Sequence, residues 1–512
     1  MAPPSPRAAE PRGGARATRV TRWILVHVLR ALWLSTMVLT PLFGFWLASS
    51  LAAYQNASQW LALLGGLLLF PLLPVGWEVF YAWRRSRLEV PRKQILTRVD
   101  RLVLRTLIIN GLFLAGMMWL GRATAFRSLA VRGDWMLDGH DGPIASTMRG
   151  WLLGFADRFD RRTPEDEPYG KSDEAPDPST IKRRDDREPS PRKPGEAQPP
   201  KDATGWPLPD EADPKVSAMP ESAQATIDTV GAYLKEQFPD KKQRVKAIHD
   251  YVALRLTYDD AALAKIIAHD YKDLPSQQAE PVFAARKAVC EGYSRLMIAI
   301  GKAANLEIAY VSGYIRDASR RLVGIDDPIK ASLQGVLHAW NAVLIDDEWL
   351  LIDTTWDDST GATEPVRSTY LFTPPKLFAY DHHPEDPAWQ LVMSPISLGD
   401  FTRQPLLSPT IGRFGIVLES PTRSQVTVKG EVEIVVANPY NARMSAYAKL
   451  DGSGKGGAQI RCAVAEQPGS RSAITCDLGS GEYEVSMFAA PASNDTGGYT
   501  LDYIGSILVN SR

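Results

Sequence analysis

The stretch Leu337–Asp358, LHAWNAVLIDDEWLLIDTTWDD, decides how the second half of this chain is read. It reads as a β-hairpin, with Ala339–Ile345 and Trp349–Thr354 flanking a turn at Asp346-Asp347. With those two residues at the turn, position 338 faces position 355, and Asp353 becomes a same-face diagonal neighbour of His338. Local geometry alone can therefore set an imidazole against a carboxylate, which fixes the ring's tautomer and supports its charged form. The competing reading is a surface pair on a hairpin. A nucleophile elsewhere in the chain separates the two.

Cys290 supplies the candidate. It opens the amphipathic segment CEGYSRLMIAIGKAAN, in which Leu296, Ile300 and Ala303 continue at helical spacing. A cysteine at a helix start faces the positive end of the macrodipole and unpaired N–H groups. Both stabilise a thiolate, and the N–H groups can cradle an oxyanion. Arg286 and Lys287 add positive potential just before it. A lone cysteine in such a place is equally readable as a buried packing residue. With His338 and Asp353 it completes a set able to run nucleophilic catalysis.

The blocks RKAVCEGYSRL and HAWNAVLIDDEWLLIDTTWDD resemble the transglutaminase-like core of the papain-type thiol enzymes, with Cys290, His338 and Asp353 in that superfamily's triad order. The following block, YLFTPPKLFAYDHHPEDPAWQLV, is similar to the kyphoscoliosis-peptidase branch, where it leads into an Ig-like C-terminal domain. The resemblance implies an α+β papain-like catalytic domain. In it Cys290 is nucleophile, His338 base and acid, and Asp353 the orienting group. The Cys290 backbone N–H is one oxyanion donor, and Tyr258 is either the second donor or a packing tyrosine. Ala288 stands where the family often has glycine, which puts the loop geometry in question. Trp340 and Trp356 are expected to line the active-site wall and core, and His382 and His383 to be structural. His249 reads as a surface or satisfied helix residue.

The implied reaction is acyl transfer at a peptide or carboxamide bond without a cofactor, resolved by water in a peptidase or deamidase. The alternatives are a cross-linking transferase, or a catalytically silent binding or adhesion module. The expected substrate is a protein or peptide, with a cell-envelope component as one candidate. No EF-hand spacing calls for calcium.

Beyond about Ser408, Val426, Val428, Val432, Ile434 and Val436 alternate with polar residues, and GEYEVSMFAA repeats the pattern, which predicts a small antiparallel β-sandwich. Cys462 and Cys476 fall on adjacent predicted strands and are a disulfide candidate outside the cytoplasm, or else two inert thiols.

Toward the N-terminus the texture is apolar. Ala31–Ala53 carries no charge, Trp60–Trp83 carries only Glu78, and Leu107–Leu120 is short and contains Asn110. The third run spans a bilayer only if Leu102–Arg105 joins it and Arg105 snorkels; otherwise it is interfacial. Arginines at the N-terminus and between Arg84 and Arg101 put both those segments in the cytoplasm, and the rest outside if the third run crosses.

The expected organisation is a basic N-terminus (1–22), a membrane region (23–156), a disordered Pro- and charge-rich linker (157–218), a catalytic domain (219–400) and an Ig-like sandwich (401–512). Lys+Arg 58 against Asp+Glu 59 leaves a net charge of -1, without the basic excess that nucleic-acid binding draws on. The seven histidines and three cysteines give no recognisable metal-ligand spacing, so no metal is expected.

Overall fold

The computed structural model describes residues 14–54, 59–87, 96–121, scattered positions from 125 to 152, 202, 204–268, 270–316, 337–358, 366–392, 395–396, 400–401, 404–450, 458–492 and 500–512. The chain divides into two compact units, Met1–Asp160 and Arg161–Arg512.

In the first unit, α1 (Gly14–Tyr54) is followed by α2 (Gln59–Leu67), α3 (Leu73–Ser86) and α4 (Arg98–Leu120). Three stretches, Leu25–Tyr54, Trp60–Ser86 and Arg98–Leu120, are long and apolar enough to cross a membrane. Between α2 and α3 the backbone leaves helical geometry at Phe70, before Pro71. Asn110, fully buried, turns inward and donates to Thr106 O (2.9 Å) and to Leu69 O (3.4 Å) beside that break. Arg105 is buried and paired with Glu78, which Arg101 also holds at 2.6 Å.

The second unit begins well before position 219. Residues 204–218, assigned to the linker by composition, pack on the domain: Trp206 is buried and donates to Thr369 O, while Asp210 accepts from Ser368 N and Arg413. Positions 157–201 of that linker lie outside the described residues. Helices α5 (Ile227–Gln237), α6 (Lys241–Arg255), α7 (Asp260–Ile267) and α8 (Cys290–Ala303) follow, with a two-residue parallel pairing of β1 (Thr257–Tyr258) and β2 (Lys287–Ala288).

An antiparallel sheet comes next, from β3 (Glu307–Ile315), β4 (Leu337–Ile345), β5 (Glu348–Ile352), β6 (Leu371–Thr373) and β7 (His382–Pro384), in the order β6-β5-β4-β3-β7. The hairpin register is the expected one: Asn341 faces Ile352 and Ala342 faces Leu351, with Asp346 and Asp347 at positive φ in the turn. One face of the sheet buries Val343, Ile345, Leu350 and Ile352 against Tyr293, Leu296, Met297 and Ile300 of α8. The other carries Trp340, Ala342 and Leu351 into an aromatic core with Trp349, Tyr370, Phe378 and Trp389.

Residues from Leu406 onward form two sheets that share one core, including Ile434, Val436, Ala446, Ile474, Val485, Met487 and Ile507. Strand β8 (Gln425–Val428) pairs in parallel with β11 (Asp502–Ser511), and β9 (Ala463–Gln467) lies beside β10 (Arg471–Asp477). Cys462 precedes β9 and Cys476 lies on β10; they are joined in a disulfide, their Cα atoms 4.4 Å apart. Cys290 is left as the one cysteine outside a disulfide.

Candidate active site

The site forms where the start of α8 meets the hairpin β4–β5. Cys290 is the first residue of α8 and is 1 % exposed. Gln277 accepts from Val289 N at 3.0 Å, which fixes the entry to the helix. Gly292 sits where a Cβ would press on that glutamine's Oε1 (2.7 Å) and on Val282 (2.9 Å), so the first turn closes only on glycine. Ala288 lies in β2, outside the set of positive-φ residues, so a side chain fits where the family often has glycine.

His338 lies on β4, opposite Gly313 of β3. The register is held by Asn341, buried three residues on, which donates to Ser294 O of α8 (3.3 Å) and Ala309 O of β3 (3.1 Å). Its signal in HAWN is a polar amide three residues from His338, hence on the opposite, α8-facing side of the strand among apolar neighbours. The His338 Nε2 contacts Asp353 Oδ2 at 2.7 Å. Asp353 is no strand residue. It caps the short helix α9 (Thr354–Asp357), its Oδ1 accepting from Thr355 N (2.9 Å) and Trp356 N (3.2 Å). The predicted histidine–carboxylate contact forms, but from a helix cap instead of a strand diagonal.

Electrostatics follow from this packing. Burial opposes charge on His338, yet the charges of Asp353 and Cys290 and the hydrogen bonds to both push its pKa up to about 10. Burial likewise opposes charge on Asp353, but His338 and then His382 hold its carboxyl far below the usual range. His249 is fully buried and satisfied, between Asp250 (3.0 Å) and Asp357 (3.2 Å). Its burial is outweighed by those two carboxylates, which lift it to about 9. Asp357 also accepts from Thr369 N and Tyr370 N, so this knot ties α6 to the helix that Asp353 caps.

Two expectations change at the site. Trp340, expected in the active-site wall and core, is 1 % exposed and belongs to the core alone, behind the imidazoles. Trp356 is half-buried, its ring centroid 5.8 Å from that of His338. His382 does more than pack: its Nε2 lies 3.0 Å from Asp353 Oδ2. His383 is structural, held by Ile396 O and Gln390, and burial drives its pKa down to about 4. Tyr258 pairs with Ala288, two residues before the thiol, and stacks against Tyr293 at 6.3 Å.

His338, Asp353 and His382 bring their donor atoms within 4.8 Å of one another. The 2.7 Å between Asp353 Oδ2 and His338 Nε2 is hydrogen-bond spacing. Ligand atoms about 2.0–2.1 Å from a tetrahedral zinc sit roughly 3.3 Å apart, so the three groups bond to one another and do not surround an ion.

Residues 229–354 match the family model described as the transglutaminase-like superfamily. Among curated proteins, the chain is similar to human kyphoscoliosis peptidase, 26% identical over 223 residues, 42% of this chain and 32% of that protein. The mouse kyphoscoliosis peptidase is 28% identical over 228 residues, 43% of this chain and 32% of that protein. The chain thus spans about a third of the length of these relatives. A solved structure described as a TGase is 24% identical, covers 27% of this chain and 34% of its own, and aligns with a TM-score of 0.20.

Proposed function

We propose that this protein is a membrane-anchored cysteine acyl-transfer enzyme that acts on peptide or carboxamide bonds, most simply as a hydrolase. The observation that carries this reading is Cys290 at a helix N-terminus, acting electrostatically on His338, whose Nε2 is bonded to Asp353 Oδ2 at 2.7 Å. The thiol proton passes to His338 and the thiolate attacks the carbonyl carbon. The Cys290 N–H, with Tyr258 as second candidate donor, stabilises the oxyanion. As the C–N bond breaks, His338 returns its proton to the departing amine or ammonia. Water, deprotonated by the same imidazole, then releases the acid and the free thiol.

The similarity to kyphoscoliosis peptidase supports the hydrolytic outcome and a protein or peptide substrate. The arginine-rich flanks of the first two spans support a cytoplasmic N-terminus, and three crossings then carry the catalytic domain and sandwich outside. A disulfide in the sandwich suits that oxidising side.

The test is to incubate the full-length protein in detergent with a glutamine-rich peptide library and a tagged primary amine, beside Cys290→Ala. Cleavage or deamidation that requires Cys290 supports the hydrolase. Cys290-dependent incorporation of the amine assigns the cross-linking reaction. No Cys290-dependent product with either acceptor leaves a tethered binding module.

A further inference from the structure

The group that lies behind Asp353 belongs to no conventional triad. His382, on the edge strand β7, is fully enclosed and uses both ring nitrogens: Nε2 lies 3.0 Å from Asp353 Oδ2 and Nδ1 lies 2.7 Å from Asp381 Oδ1. Asp381 is itself anchored, its Oδ2 accepting from the Tyr370 hydroxyl at 2.7 Å. A run of contacts therefore leads from His338 through Asp353, His382 and Asp381 to Tyr370.

The surroundings make this arrangement specific. The His382 ring stacks on Phe378 (4.2 Å) and meets Trp356 (4.5 Å), Trp340 (5.1 Å) and Tyr370 (5.3 Å). The titratable groups facing it are Asp353, Asp381, Tyr370 and, at 5.8 Å between centroids, His338. With two carboxylates and aromatic faces around it, the ring has neighbours that accept protons or favour a cation. Asp381 Oδ2 is occupied by Tyr370, which leaves Oδ1 to take the Nδ1 proton. The Nε2 proton then points at the same carboxylate oxygen that His338 uses.

We infer that His382 is a positioning residue for the proposed reaction: clamped by Asp381, it donates its Nε2 proton to Asp353 and so fixes the carboxylate that orients His338. Asp353 needs such a clamp because its Oδ1 is committed to capping α9. With only His338 on Oδ2, rotation of the carboxylate would trade the imidazole contact against the cap. A donor on each side of Oδ2 removes that freedom. The protonation balance agrees with the geometry: burial opposes charge on His382, but Asp381, then the hydrogen bonds to Asp353 and Asp381, raise its pKa. The inference rests on the proposed Cys290–His338 pair, and the experiment separates the two.

Full-length protein in detergent is alkylated with iodoacetamide across about pH 5–9, and Cys290 modification is followed by mass spectrometry for wild type, His338→Ala, His382→Leu and His382→Gln. Gln keeps an N–H donor near the position of Nε2, whereas Leu keeps only bulk. For His382→Leu we expect alkylation at about pH 6 to fall roughly tenfold or more and its pH midpoint to move toward that of His338→Ala. His382→Gln is expected to stay within about threefold of wild type. Folded His382→Leu and His382→Gln proteins that both keep the wild-type profile overturn the inference, leaving His382 as packing. If His338→Ala itself leaves the profile unchanged, the thiolate–imidazolium reading fails first, and this inference with it.

Should His382→Leu fail to fold, ¹⁵N spectra of histidine-labelled wild type, with the His382 signals assigned by their loss in His382→Gln, carry the test. A protonated Nε2 at about pH 7 supports the clamp, and an Nε2 without a proton overturns it.

Discussion

Asp353 accepts from two backbone N–H groups and two imidazoles, all while fully buried. Removing it leaves His338 and His382 without the anion between them and uncaps α9. Asp353→Ala is therefore expected to lower unfolding free energy by about 3–5 kcal/mol, the range for breaking a buried charge pair. Urea unfolding monitored by tryptophan fluorescence checks this, and a loss within the range of an ordinary surface change contradicts it. Cys290, His338 and Asp353 were legible because each signal is local: a helix start for one, a tight hairpin for the others. His382 was not, because 29 residues separate it from Asp353 and the contact exists only once β7 has paired with β3. The helix cap was hidden for a similar reason. A hairpin register extrapolated past Ile352 cannot tell where the strand ends.

Among the elements, α6 and α9 are joined through His249, and the pH dependence of that joint has a definite sign. His249 and His338 are raised above an unfolded value of about 6.5, so their stabilisation is complete below that pH and is lost as pH climbs through about 9 and about 10. Asp353, which is lowered, contributes above about pH 3.8 and loses its contribution as pH falls further. Thermal melts should show the midpoint declining from near neutrality toward alkaline pH. His249→Asn should flatten that decline between about pH 6.5 and 9 while leaving the acid side as in wild type. An unaltered alkaline slope in His249→Asn contradicts the assignment.

The arm from residue 204 onward gives a second prediction at this scale. Trp206 is buried against Thr369 and Gly412, so Trp206→Ala should cost about 3–5 kcal/mol, and a fragment starting at Met219 should melt below one starting at Lys201. Equal melting of the two fragments contradicts it. Composition concealed this arm. Trp206, Leu208 and Val216 are anchors scattered among prolines and charges, with none of the periodicity by which a helix or strand is recognised.

At the scale of the whole molecule, apolar length alone made two of the three long helices readable. The third needed its partner: Arg105 is tolerated in a helix of spanning length because Glu78 meets it from α3. The disulfide was legible as a candidate because its cysteines fall on neighbouring predicted strands, and the fold supplies the 4.4 Å approach. Cys462→Ser with Cys476→Ser is expected to destabilise the sandwich by about 2–3 kcal/mol, given the short loop it closes. Urea unfolding under non-reducing conditions is the check, and unchanged stability contradicts a structural role. The same bond leaves Cys290 as the one thiol to label, so the full chain can be studied with its disulfide intact.

That circumstance makes the central claim directly testable. Alkylation of Cys290 in the full-length protein, measured against pH beside His338→Ala, reports whether thiol and imidazole share a proton. An ordinary thiol titrates near pH 8.5, and a thiolate held by an imidazolium reacts well below about pH 7. The account predicts fast alkylation at about pH 6 that His338→Ala slows by roughly tenfold or more. An ordinary thiol curve, unchanged by His338→Ala, would contradict it.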